Sequence, residues 1–482
     1  MSRRLRVVTC LAFVLLALAA VSAQAAEWAP NTAYTVGTVV TYQGPSYSCR
    51  QSHTSLVGWE PPNVLALWLP QTGGTPPPTP TATPRVTPPT PTPTPTGRPR
   101  PTATPTLTPR PGVPTSTPTA TPRATTTPTP TSRPTPTATP VPCTSCGGNI
   151  PKHAIVGYWH NFDNGSGFIK LRDVSNQFDV IQVAFAEPTS ATSGDIRFVP
   201  DSHTSEAEIK SDVQILHGRG KKVLISIGGA NGQVRLENAS ARTSFVSSVT
   251  SIIRNYGFDG LDIDFEGHSL SIDANDADFR NPTTAVVTNL ISAVRQIKSN
   301  IGGNFVLTMA PETFFVQLGY QFYGGTVCGS CDRRAGAYLP VIHALRNDLT
   351  ILHVQDYNSG PIMGLDNQFH FMGGADFHVA MTDMLLTGFP VANTGVTFPP
   401  LRQDQVAIGL PANVNAGGGF TSVGDVRTAL NYLYKGQSFG SYRLRGGPYP
   451  NMRGLMTWSI NWDRFNNFEF STQHGAYLDA LP

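Results

Sequence analysis

Four carboxylates, Asp259, Asp262, Asp264 and Glu266, fall within the eight residues DGLDIDFE, with Leu261, Ile263 and Phe265 interleaved. On an extended strand successive side chains alternate between faces. Asp262, Asp264 and Glu266 then share one face, and the three apolar residues take the other. Asp259 stands at the N-terminal end, out of register with the three. Like charges at close range raise one another's proton affinity, so a row of inward acids must share protons. The outermost, Glu266, is kept partly protonated near neutral pH, which suits a general acid. A calcium site or a solvated acidic loop is the competing reading. Calcium loops want acids and glycine at defined turn positions, whereas interleaved Leu, Ile and Phe predict a strand. The nearby DANDAD at 273–278 comes closer to a calcium loop, but Ala277 and Asp278 spoil its pattern.

Two carboxylates flanking a bond point to glycoside hydrolysis. A retaining enzyme with a carboxylate nucleophile needs its pair about 5–5.5 Å apart on opposite sides of the sugar. Neighbouring inward positions on one strand are about 6.6 Å apart and point the same way. Asp264 is therefore badly placed as nucleophile for a bond that Glu266 protonates. An N-acetyl group on the sugar, attacking its own anomeric carbon, resolves the difficulty.

The elements that hold such a row can be read around it. Eight apolar runs follow one another from residue 153: HAIVGYW, FDVIQVAFAE, KKVLISIGG, GLDIDFE, NFVLTMAPE, LTILHVQDYN, QVAIGLPA and RGLMTWSINW. Near-continuous runs fit strands buried on both faces. In TSFVSSVTSIIRNYG, Phe245, Val249, Ile252 and Tyr256 fall at helical spacing. An Asn281-Pro282 start precedes Val287, Leu290, Val294 and Ile297. Strands alternating with helices predict an α/β fold, a (β/α)8 TIM barrel, with an open doubly wound sheet as the alternative. Barrel sites gather at the C-terminal ends of the strands. The polar residues closing the runs are thus the candidates: Glu187, Ser226, Asp264, Glu266, Glu312, Tyr357 and Asn358.

DGLDIDFE matches the D-G-x-D-x-D-x-E signature of glycoside hydrolase family 18, and SIGG at 226–229 matches its second signature. TMAPE, QDYN and MTWSINWD resemble the fifth, sixth and eighth strands of bacterial chitinases, and VGYWHNFDNGSG resembles a subgroup like chitinase D. The resemblance covers the whole large domain, 143–482. It implies chitin hydrolysis with retention through an oxazolinium intermediate, without a cofactor or metal. By the same resemblance Glu266 is the general acid and base, and Asp264 steadies the acetamide nitrogen. Asp262 shares the proton of Asp264, and Tyr357 donates to the acetamide oxygen. Trp458 forms the floor under the reacting sugar, with Tyr158, Met309 and Gln355 lining the same subsite. Asp259 and Ser226 are expected either to be structural or to support the site from behind, and Glu187 and Glu312 are left without a role. VCGSC looks like an insertion relative to the family.

The rest of the chain frames this domain. Residues 1–25 carry three arginines, an apolar run and Ala23-Gln24-Ala25, the pattern of a secretory signal peptide rather than a membrane anchor. Residues 71–142 are almost wholly Thr, Pro and Ala, an extended semi-rigid spacer. A small all-β domain at 26–70 crowds Trp28, Tyr34, Tyr42, Tyr47, Trp59 and Trp68 into a short span, with two strands expected around Gln43-Gly44. It resembles carbohydrate-binding module family 5/12. That resemblance implies chitin as its partner, with Trp59 the exposed binding ring, Trp28, Tyr47 and Trp68 core, and Cys49 a buried thiol. The signal arginines and the six of the spacer make nine positive charges against a net of +3, so the folded parts carry −6. That disfavours nucleic acid. Cys143, Cys146, Cys328 and Cys331 form two C-x-x-C pairs, read as disulfides of open connectivity in an exported protein, with zinc the other reading. The expectation is a secreted, extracellular, monomeric chitinase with no membrane association in its mature form. An endo-β-N-acetylglucosaminidase on N-glycans and a chitin lectin are the rivals, and such lectins typically lack the acid equivalent to Glu266.

Overall fold

The computed structural model describes residues 25–30, 32–35, 37–49, 53–55, 60–62, 67–71, 150–326 and 331–482. The readings made for residues 1–24, for the spacer, and for Trp59, Cys143, Cys146 and Cys328 lie outside that set. Cys331 is disulfide-bonded.

The small N-terminal module is a four-stranded sheet of Ala26–Glu27, Val39–Thr41, Ser46–Cys49 and Trp68–Pro70, beside a short pair, Ala33–Tyr34 and His53–Thr54. Val39–Thr41 and Ser46–Cys49 form the expected hairpin, and Gln43 and Gly44 take positive φ at its tip. Trp28, Tyr34, Tyr47, Cys49 and Trp68 are buried together. Tyr34 meets Trp68 edge-on at 5.0 Å, an arrangement that aromatic pairs favour.

The large domain is a closed barrel of eight parallel strands. They are β1 (Ala154–His160), β2 (Val180–Pro188), β3 (Lys222–Gly228), β4 (Gly260–Asp264), β5 (Val306–Met309), β6 (Ile351–Gln355), β7 (Val406–Pro411) and β8 (Gly454–Trp458). Each pairs with its sequence neighbour, and β8 closes on β1 through Gly454–Ala154. Outward side chains such as Leu261, Ile263 and Leu307 belong to the same apolar cluster as Phe245, Val249, Leu290 and Val294 of the surrounding helices. Val156, Tyr158, Val180, Leu224, Ile351 and Met456 fill the interior.

Helices α1 (Glu206–Gly218), α2 (Ala239–Tyr256) and α3 (Ala285–Ile301) follow β2, β3 and β4. The helical spacings read at Phe245 and at Val287 form their buried faces. The start of α3 differs from the sequence expectation. It begins after Thr284, not at Asn281-Pro282, because Asp276 accepts from the amides of Thr283 and Thr284 and from the Thr284 hydroxyl. The DANDAD stretch thus anchors a helix entry.

Asp259 fixes where β4 begins. Its carboxylate accepts from the Val223 amide (2.8 Å), Lys222 Nζ (2.9 Å) and His217 Nε2 (2.8 Å), tying the mouth of β4 to β3 and α1. Replacing it strands three polar groups at a partly buried seam. Asp259→Ala should lower unfolding free energy by about 1–3 kcal/mol in urea titrations, with kcat of the folded enzyme kept; an unshifted urea midpoint would contradict this.

Candidate active site

The alternation of β4 turns Asp262 and Asp264 into the barrel, and Glu266 follows just past the strand end. Asp262 is fully buried. Its Oδ2 accepts from the Tyr158 and Ser226 hydroxyls, each at 2.7 Å, and its Oδ1 from Thr308 Oγ1 at 2.6 Å. Gln182 Nε2 in turn donates to Thr308 Oγ1 at 2.9 Å. The deepest acid is therefore held from β1, β3 and β5 at once.

Above it, one amide nitrogen joins the next two acids. Gln355 Nε2 lies 2.9 Å from Asp264 Oδ1 and 3.0 Å from Glu266 Oε1, and donates also to the Ala310 carbonyl at 2.8 Å. Burial pushes the Asp264 carboxyl well above the ordinary carboxylate range. The charges of Glu266, Asp262 and Glu312 add to this, and Gln355 opposes it. Tyr357, buried at the same level, is likewise held well above its ordinary value by burial and by these acids, so it stays a hydroxyl donor.

The SIGG motif shapes the neighbouring wall. Ser226 holds Asp262, and the backbone after it passes against β4 at contact distance. Gly229 N donates to the Asp264 carbonyl at 2.7 Å. A Cβ on Gly228, whose φ is +123°, would stand 1.9 Å from that same oxygen. Only glycine lets the two chains close here. Tyr338 fixes the far side of the row, its hydroxyl accepting from the Phe265 amide at 2.7 Å.

A cleft of about 640 Å³ opens over these groups, and Asp264, Glu266, Gln355, Tyr357, Trp458 and Phe185 are among its lining residues. Trp458 stacks on Phe185 with ring centres 5.8 Å apart and planes 16° apart, and its ring lies 5.6 Å from that of Tyr158. The cleft continues past the ends of β1 and β3 along Asn161 and Asn231, and Glu187 near the end of β2 and Asn358 just beyond β6 also line it.

Two expectations need correction. Met309 does not line the cleft. Thr308 turns inward to Asp262, so alternation sends Met309 outward, fully buried in register with Ile263. Tyr158 is also fully buried, beneath Trp458, and acts through its hydroxyl on Asp262 rather than as cleft lining. Four site residues escaped sequence reasoning: Gln182, Thr308, Tyr338 and Phe185. Glu312, left without a role, stands beside the site: its backbone forms an isolated β-bridge with that of Gln355, and the charge of Glu266 acts on its carboxyl. Gln182 and Thr308 did leave a signal, each being a polar residue in the middle of an apolar run.

Comparison with known proteins identifies the family of each domain. Residues 154–332 match glycosyl hydrolases family 18, and residues 27–69 match carbohydrate-binding module family 5/12. Chitinase D of Niallia circulans is 47% identical over 493 residues, covering 95% of this chain and 92% of that protein. Chitinase Chi52 of Paenibacillus xylanexedens is 47% identical over 495 residues, with the same coverage. Exochitinase 1 of Streptomyces olivaceoviridis is 60% identical over 338 residues, 68% of this chain but 56% of its own length. The crystal structure of a family GH18 chitinase from Chromobacterium violaceum superposes with a TM-score of 0.62 at 36% identity, covering 94% of this chain and 99% of that one. The chain belongs to family 18 of the glycosyl hydrolases and carries a family 5/12 carbohydrate-binding module.

Proposed function

We propose that this family 18 hydrolase is a chitinase that cleaves β-1,4-linked N-acetylglucosamine polymers with the substrate's own acetamide as nucleophile. The observation that carries the mechanism is the Gln355 bridge. Asp264 and Glu266 both reach one amide nitrogen, so they approach a bound sugar from one side. A carboxylate nucleophile would have to attack from the other. Glu266 protonates the glycosidic oxygen while the acetamide oxygen closes on the anomeric carbon. Asp264 accepts from the acetamide N–H and steadies the cyclic cation, Asp262 shares its proton, and Tyr357 donates to the acetamide oxygen. The Trp458 ring supports the apolar face of the sugar. Water then opens the ring with Glu266 as base, returning the original anomer.

The N-terminal module holds the enzyme on chitin, and a Pro/Thr spacer over 71–142 lets the barrel work within reach of the anchored surface. The residues of 1–25 direct secretion, and the enzyme acts outside the cell as a monomer. Among the described residues no helix is long and apolar enough to cross a membrane.

Glu266→Gln removes the proton donor, and release of soluble sugars from colloidal chitin should fall by at least about a hundredfold. Proton NMR of the first wild-type products should show the β anomer. Activity kept in the variant, or an α product, would contradict the mechanism, and an inactive wild type would favour a lectin.

Glu312 supplies a second test. Burial, and next the charge of Glu266, raise its carboxyl from an ordinary 4.5 to about 8, with Arg334 pulling the other way. The native state therefore binds this proton more tightly than the unfolded chain. The stability it brings is complete below about pH 4.5 and drains away as pH rises toward 8, at up to about 1.4 kcal/mol per pH unit. In Glu312→Gln the loss of stability between pH 5 and pH 8 should be smaller than in wild type by urea unfolding; an equal loss would contradict this assignment.

A further inference from the structure

Below the acid row sits a side chain that the mechanism above does not use. His353, on β6, is fully buried, and its Nε2 lies 3.6 Å from Asp262 Oδ1. Neither ring nitrogen has a hydrogen-bond partner among the described residues. The ring stands edge-on to Tyr158, with centres 6.0 Å apart and planes 86° apart. Burial lowers the proton affinity of the imidazole, and the charge of Asp262 and then a contact of the ring with its own backbone raise it, with burial the largest effect. The ring is thus neutral near pH 7, with one N–H to give. The titratable groups facing it are Asp262 from β4 and Tyr158 from β1. Ser226 from β3 and Thr308 from β5 reach the same carboxylate, and Gln182 from β2 reaches Thr308.

A buried N–H seldom stays without an acceptor. Closing the gap to an N–H···O distance of about 3 Å takes a shift well under 1 Å. We infer that His353 is a positioning residue for hydrolysis, its neutral imidazole donating Nε2–H to Asp262 and thereby setting how Asp262 and Asp264 divide their shared proton. An ionised carboxylate only accepts, whereas a protonated carboxyl must also donate. Tyr158 and Ser226 already donate to Oδ2, and Thr308 to Oδ1. With His353 as a fourth donor, protons face Asp262 from β1, β3, β5 and β6. The proton of the pair is left on Asp264, the member beside Glu266 and nearest the reacting acetamide.

Removing the donor makes it easier for the pair to take up a second proton, which ends activity on the acid side. His353 does not line the cleft, so substrate binding is spared. Because the inference rests on hydrolysis at this acid row, the test has one arm that needs activity and one that does not. In hydrolysis of a soluble chito-oligosaccharide, His353→Phe should lower kcat on the order of tenfold with KM held. It should also move the acid-side fall of kcat/KM to higher pH by about one unit. His353→Gln, which keeps an N–H near the same place, should retain the wild-type midpoint. Equal midpoints in wild type and both variants, or a change confined to KM, would overturn the inference. Should His353→Phe fail to fold, nitrogen-15 NMR of labelled histidine in the wild type decides, with His353→Gln identifying the signal. A neutral Nε2–H ring at about pH 7 is expected; an Nδ1–H tautomer, or a protonated ring at that pH, would overturn it. A wild type inactive on chito-oligosaccharide would defeat the proposed hydrolysis and leave the NMR result standing on its own.

Discussion

One amide nitrogen, Gln355 Nε2, stands within hydrogen-bond distance of both Asp264 and Glu266, and that shared donor dictates what the site can do. Two acids gathered on one donor cannot stand on opposite faces of a sugar. Their mutual repulsion, deepened by burial, must be met by protons rather than by solvent. In the proposed mechanism the row works as a proton store beside the scissile bond, and the nucleophile comes from elsewhere: an acetamide two atoms from the anomeric carbon is the nearest one that chitin offers.

Holding that row takes contributions from every side of the barrel. Asp262 is gripped by Ser226 and Thr308, its register partners on the strands to either side of β4, and by Tyr158 from β1 across the barrel interior. Gly228 allows the β3 backbone to pass at contact distance from Asp264. Tyr338, from the segment before α4 (Leu339–Leu345), fixes the Phe265 amide on the opposite flank. The wide stacked surface of Phe185 and Trp458 then covers Tyr158, so the polar core lies buried beneath an apolar floor.

Much of this was legible in the sequence, because the row and the strands obey simple periodicities. Alternation within DGLDIDFE placed Asp262 and Asp264 inward, and helical spacing found the buried faces of α2 and α3. What escaped notice lay in the middle of apolar runs, not at their ends. Gln182, Thr308 and His353 interrupt FDVIQVAFAE, NFVLTMAPE and LTILHVQDYN, and each faces the barrel interior. The misplacement of Met309 has the same origin. The inward register of β5 is set by pairing with β4, and one residue's difference sends Thr308 in and Met309 out. Phe185 left no signal at all, since an aromatic ring in an apolar run reads as core. The start of α3 was missed because Asp276, six residues before Pro282, captures the entering amides, and no local propensity announces that contact.

The central claim is that the substrate's acyl oxygen is the nucleophile. Aryl β-glycosides of glucosamine bearing acetyl, fluoroacetyl, difluoroacetyl and trifluoroacetyl groups test it most directly, because each fluorine weakens that oxygen with little change in size. With that oxygen as nucleophile, kcat/KM should fall step by step along the series; rates that stay level across it would contradict the mechanism.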